Sequence, residues 1–136
     1  DTDLFIFDRL DLMKTYEKIF YILLDNEDRA IQISKNIFNF KKEIMDDVSQ
    51  SLPNSCLISS QNFKKQINKL EGVDIIYPNV GENLDFVAKL SKENHLKTNY
   101  LYREIDLFCW QYCQKGFFNF KKNIPFILNN IRTKRL

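Results

Sequence analysis

The sequence predicts an all-α fold: a compact bundle of five or six helices with one irregular segment around residues 73–81, forming a single helical domain over residues 1–136. Three observations carry this expectation. The chain has 136 residues but only three Gly and three Pro, and a β-sandwich or barrel needs many tight turns built from such residues. Apolar residues make up 44% and include twelve Phe and six Tyr, enough to fill one core at this length. Several stretches also repeat apolar residues at helical spacing.

The first predicted helix spans about Leu4 to Leu24, on Phe5, Leu12, Tyr16, Ile19, Phe20 and Leu23, and stops at Asp25-Asn26. The second runs from Glu27 to about Ser49 on the stripe Ala30, Ile33, Ile37, Phe40, Ile44 and Val48. Pro53 closes it, because proline excludes the helical conformation from the residue before it. Ser59 or Ser60 caps a third helix, with Phe63, Ile67 and Leu70 inward and Gly72 at its end. VDIIYPNVG, Val73–Gly81, is β-branched and then broken by Pro78 and Gly81, which reads as an ordered loop or one short strand. Glu82–Asn94 is the fourth helix. Thr98 caps a fifth that runs to Lys115, with Gly116 as its C-cap, and Pro125 sits in the first turn of the last. The core is centred on the second and fifth helices; the aromatic stretch YLYREIDLFCWQYCQKG makes the fifth a central, buried element.

The hexamer N-F-K-K-x-I occurs three times, at Asn39–Ile44, Asn62–Ile67 and Asn119–Ile124. Its unequal spacing excludes a solenoid, which needs a fixed period. On a helix, its Phe and Ile share one face and its lysines project sideways to water. It reads as a short packing module rather than a repeat.

Several chemistries are excluded or disfavoured. His95 is the sole histidine, which rules out two-histidine metal sites and H-E-x-x-H proteases. Its setting, KENHLKTN, is a polar helix end where a histidine caps carbonyls. Cys56, His95, Cys109 and Cys113 would number enough for a structural zinc, but no C-x-x-C knuckle exists and the cysteines sit in apolar surroundings typical of small core residues. The three glycines, Gly72, Gly81 and Gly116, admit no phosphate-cradling motif. Asp1 with Asp3, Asp8 with Asp11, Asp46 with Asp47 and Glu104 with Asp106 are the nearest carboxylate pairs, without convergent spacing. No metal and no cofactor are expected. Around Leu70, Gly72 and Val73 the chain resembles the helix-hairpin-helix DNA-binding turn, but Glu71 and Asp74 stand where that turn has proline and its second glycine.

Charge is the one long-range pattern. Residues 1–28 carry eight Asp or Glu against three Lys or Arg, a net −5, whereas residues 107–136 carry six Lys or Arg and no acid. The asymmetry admits two readings: a basic C-terminus that meets nucleic-acid phosphates, with Tyr and Phe nearby for stacking, or an acidic first helix and a basic last helix that lie antiparallel and neutralise each other. The odd cysteine count argues against a disulfide framework and for an intracellular, reducing compartment, and no apolar run reaches the ~20 residues of a membrane span. Asp1 in place of an initiating methionine is the pattern of a processed chain or an excised domain. The expected function is a non-catalytic helical interaction domain in a larger assembly, with a protein partner. The alternative is a nucleic-acid-binding domain using Lys121, Lys122, Arg132, Lys134 and Arg135. A third reading, an enzyme built on His95 or a carboxylate pair, ranks below both.

Overall fold

The computed structural model describes residues 15–78, 80–114 and 116–134, and for Lys134 the backbone alone. The predicted first helix before Thr15, with Asp8 and Asp11, lies outside the described residues, as do Asp1 and Asp3. The chain divides into two compact units, Asp1–Asn99 and Tyr100–Leu136.

The fold is mixed α/β, which corrects the all-α bundle expected from the sequence. Among the described residues, four strands form two parallel pairs and are accompanied by five α-helices. In chain order these are β1 (Ile19–Leu23), α1 (Lys35–Gln50), β2 (Ser55–Ser59), α2 (Ser60–Gln66), β3 (Gly72–Ile76), α3 (Glu82–Glu93), β4 (Lys97–Leu101), α4 (Glu104–Trp110) and α5 (Phe117–Lys134). Strand β1 pairs with β2 in register, Ile19 opposite Ser55 through Leu23 opposite Ser59, and β3 pairs with β4. Parallel neighbours cannot be joined by a tight turn, so each pair is bridged by a crossover helix, α1 in one and α3 in the other.

The reason Ile19–Leu23 is a strand lies in what covers its two faces. Ile19, Tyr21 and Leu23 pack with Met45, Val48 and Leu52, and Phe20 and Ile22 with Leu24 pack among Phe63, Ile67, Phe86 and Leu90. β2 divides the same way, Leu57 to the first cluster and Ile58 to the second. The first sheet is therefore covered by α1 on one side and by α2 with α3 on the other, with Tyr21 and Leu23 of β1 buried and β2 half-buried throughout. A doubly covered parallel strand reads as an unbroken apolar run instead of an alternation. IFYILL matches helical spacing only because every one of its positions is apolar.

α1 starts later than predicted. Asn26, at the head of a 3-10 turn (Asn26–Asp28), donates from Nδ2 to the Ile33 carbonyl at 3.1 Å and accepts from the Ile33 N–H at 3.0 Å. That local bonding holds the backbone out of a helix. Ser34 then caps α1, its Oγ accepting from the Ile37 N–H at 3.3 Å. The buried side of α1 is Met45, Val48 and Ser49, while Ile37 and Phe40 of the predicted stripe are exposed. The hexamers show the same divergence. Phe63 and Ile67 are buried, but Phe40 faces solvent.

α2 begins where expected, with Ser59 Oγ accepting from the Asn62 N–H. Gly72 opens β3 instead of closing a helix, and a Cβ there would stand only 3.2 Å from the Lys97 carbonyl oxygen on β4, a close approach that suits glycine. The stretch that resembles a DNA-binding hairpin turn is thus a strand entry. α3 matches its predicted span and ends with His95 in the left-handed region at φ 50°. The Leu96 N–H returns to the Ser91 carbonyl at 3.0 Å, closing the helix as a Schellman motif.

The predicted fifth helix does not form as one piece. Thr98 to Leu101 belong to β4, α4 covers only Glu104–Trp110, and Gly116, with φ 78°, precedes α5. The Gly116 carbonyl accepts from the Phe120 N–H, so this glycine opens a helix rather than closing one. Pro125 consequently lies in the middle of α5, on its exposed side. There the carbonyl of Lys121, which loses its helical donor to the proline, can bond to water.

Leu24 is 2% exposed and Ile31 is 80% exposed. Leu24→Ala is expected to lower the unfolding free energy by about 2–5 kcal/mol, and Ile31→Ser to change it by less than about 0.5 kcal/mol. Urea denaturation of both variants measures this; equal effects would refute the two-sided core.

Candidate functional site

Two regions concentrate chemistry, one in each unit. The first lies where β1 and β2 end. Because the strands are parallel, both carboxyl ends reach the same edge, which is where open α/β sheets bind ligands. β1 is followed by Leu24, Asp25, Asp28 and Arg29, and β2 by Ser60, Gln61 and Lys64.

Ser60 is 0% exposed. Its Oγ accepts from the Asp25 N–H at 2.9 Å and lies 2.6 Å from Asp28 Oδ2 and 3.0 Å from Asp25 Oδ2. One hydroxyl carries one proton, and the shorter contact assigns it to Asp28. Asp25 Oδ2 accepts instead from the Gln61 N–H at 3.0 Å, so its carboxylate occupies the amide end of α2. Asp28 is further held by Lys64 and by Gln61 Nε2 at 3.2 Å. Burial alone would raise the Asp28 pKa, but the hydrogen bonds from Lys64 and Ser60 outweigh it and hold the carboxyl below its ordinary value.

Beside this cluster, Arg29 is buried. Its Nε donates to the Leu24 carbonyl at 3.1 Å and its Nη1 to Glu82 Oε1 at 2.5 Å, tying the end of β1 to the first residue of α3. Burial, with Arg29 nearby, pushes the Lys41 ammonium down, and Glu82 opposes that shift. Asn83 follows Glu82 on the buried stripe that continues through Phe86 and Leu90, with its Oδ1 buried and without a hydrogen-bond partner.

The sequence marks Asp25 as a helix stop and Ser60 as a candidate cap, but none of these residues as part of a site. The signal was present: an apolar run that ends in the polar sequence DNEDR, as a buried parallel strand ends at its carboxyl edge. Reading the run as helix concealed it. The chemistry of the cluster is mutual satisfaction, with both carboxylates held by donors of the same chain.

The second region is the predicted basic one. α5 places Lys121, Lys122 and Arg132 exposed. Lys134 is the last residue of the helix, and Arg135 lies outside the described residues. At 3.6 residues per turn, the exposed positions 117, 118, 121, 122, 125, 126, 128, 129, 132 and 133 form one half of α5. The inward half is Phe120, Asn123, Ile124, Ile127, Asn130 and Ile131. The three cations therefore share their side with Phe117, 67% exposed, Phe118, 78%, Phe126, 53%, and Leu128, 49%. Phe117 and Phe118 meet edge to face at 5.7 Å, and Phe126 meets Tyr112 in the same way at 5.9 Å. The sequence points to aromatics near the basic residues; the structure adds which rings share their side of the helix.

The other candidates do not assemble into a site. His95 is an exposed helix terminus, and Asp106 pairs with Arg103 at 2.7 Å. Asp46 and Asp47 are exposed on α1. Among the described residues no group of three or more His, Cys, Asp or Glu side chains could hold a metal ion. Nor is any helix among them long and apolar enough to cross a membrane.

The chain matches no known family, curated protein or solved structure.

The Asp28 shift has a defined consequence for acid stability. A carboxyl held below its ordinary value of 3.8 stabilises the fold fully above that value, and the contribution is lost as pH falls through the lowered one. Asp28→Asn is expected to cost about 1–3 kcal/mol near pH 7. It should also flatten the fall in stability as pH drops below about 4. An unchanged acid slope in pH-dependent urea unfolding would show that the carboxylate is not held there.

Proposed function

We propose that this chain is a non-catalytic interaction module and that the outward side of α5 is its docking face. One observation carries the reading: four exposed apolar side chains, Phe117, Phe118, Phe126 and Leu128, lie interleaved with Lys121, Lys122 and Arg132. No acidic residue follows Asp106 in the sequence. Solvent-facing rings of this size are out of place on a surface with no partner, and aromatics beside cations are the composition of an interface centre rather than of a solvated helix. The charge selects an anionic partner.

At the strand edge, by contrast, the carboxylates of Asp25 and Asp28 are engaged by Ser60, Gln61 and Lys64. That favours a structural role for the edge and binding for the helix. The proposed setting is intracellular and reducing, where Cys56, Cys109 and Cys113, all free, remain thiols.

The test uses heparin as a generic polyanion. Lys121→Glu with Lys122→Glu should elute from immobilised heparin at distinctly lower salt than the parent chain. Lys65→Glu with Lys69→Glu, exposed lysines near and beyond the end of α2, changes net charge equally and should elute close to the parent. Identical behaviour of the two pairs would reduce the effect to net charge and remove α5 as the docking face.

A further inference from the structure

Resting on that reading, we infer that the partner of the α5 face is a single-stranded nucleic acid. The inference comes from how charge and apolar surface alternate. Around the exposed arc the order is Phe117, Leu128, Lys121, Arg132, Pro125, Phe118, Asn129, Lys122, Thr133, Phe126, from the turn of 3.6 residues. Along the axis, the ring pair Phe117–Phe118 is followed about 6 Å later by Lys121 and Lys122. Phe126 and Leu128 come next, then Arg132. Lys121 and Lys122 thus lie between the Phe117–Phe118 pair and Phe126, and Arg132 lies one turn beyond Leu128.

Three kinds of anionic partner make different demands on such a face. A lipid surface takes a helix whose apolar side is continuous and whose cations flank it. Here Lys121 and Arg132 stand between Leu128 and Phe118, so immersing those apolar groups would carry both charges with them. A protein groove takes an unbroken apolar row at i, i+3, i+4 and i+7. The row from Phe117 passes through Lys121 before it reaches Ile124 and Leu128, and the row from Phe118 passes through Lys121 and Lys122 to Pro125. A single strand is itself an alternation of phosphates and flat apolar bases. It pairs its phosphates with the lysines and stacks unpaired bases on the rings. In a duplex the bases already stack on one another, so the rings gain nothing there.

Fluorescence anisotropy of the full chain with labelled single-stranded DNA and RNA oligonucleotides, and with the duplex of the same sequence, tests this. Single strands should bind more tightly than the duplex. The logarithm of affinity should fall with the logarithm of salt at a slope of about −2, for three phosphates neutralised on a single strand. Phe118→Ala should weaken single-strand binding about tenfold, with the far-ultraviolet circular dichroism unchanged because Phe118 is an exposed side chain.

Equal affinity for duplex and single strand, with no effect of Phe118→Ala, overturns the inference and leaves a phosphate contact. Stronger binding to phosphatidylserine vesicles or to polyglutamate than to any oligonucleotide overturns it in favour of a membrane or an acidic protein. In these cases heparin retention that depends on Lys121 and Lys122 keeps α5 as the docking face. Loss of both oligonucleotide binding and that heparin dependence ends both proposals.

Discussion

The parallel pairing of β1 with β2 is the constraint on which the first unit depends. Two parallel strands cannot be joined by a hairpin, so the chain between Leu23 and Ser55 must travel back along the sheet. It does so as α1, and the return buries one face of both strands. The other face is then left for α2 and α3. Every apolar residue of IFYILL takes part in this arrangement, since both faces of β1 pack against apolar clusters. The same pairing brings both carboxyl ends to one edge, and so decides which polar residues meet.

What meets there is a set of groups that only stabilise one another in combination. Ser60 is buried because its hydroxyl bridges the Asp25 backbone and the Asp28 carboxylate. Asp25 in turn satisfies an amide at the start of α2, where the chain has just left β2. Arg29 spans from the Leu24 carbonyl to Glu82 and so couples the end of the first strand to the start of the helix after the third. A buried ion pair contributes little compared with an apolar pair of the same size, yet losing one partner leaves a charge stranded. Such contacts select one arrangement of the elements more than they add to its stability. The apolar clusters on the two faces of the sheet supply the stability.

How much of this was legible depends on the range of the interaction that decides each element. α3 and the cap of α2 were readable because Ser59 and the helix end at Asn94 are local signals. The strands were not. A six-residue apolar run fits helix and buried strand alike, and the choice was made by Leu57, Ile58, Met45 and Phe63, from well outside the run. Gly72 and Gly116 were both read as helix ends, since a sequence does not say whether a glycine serves the element before it or the one after. The repeated hexamer shows the same limit. Phe63 and Ile67 are core, but Phe40 is turned outward because α1 presents Met45 and Val48 to the sheet.

The basic face was legible in part for a related reason. The excess of Lys and Arg after residue 106 is a property of the chain and needs no structure. Which side of the helix carries them is fixed by the inward stripe, Phe120, Ile124, Ile127 and Ile131, at i, i+4, i+7 and i+11. A helix of 18 residues buries one such stripe, and apolar residues beyond it have nowhere to go but outward. In α5 the surplus is large: Phe117, Phe118, Phe126 and Leu128. Lys121, Lys122 and Arg132 fall on that same half, among the rings rather than opposite them. An ordinary amphipathic helix separates its rings from its charges. This one superposes them, and that superposition is what the proposed single-strand contact rests on.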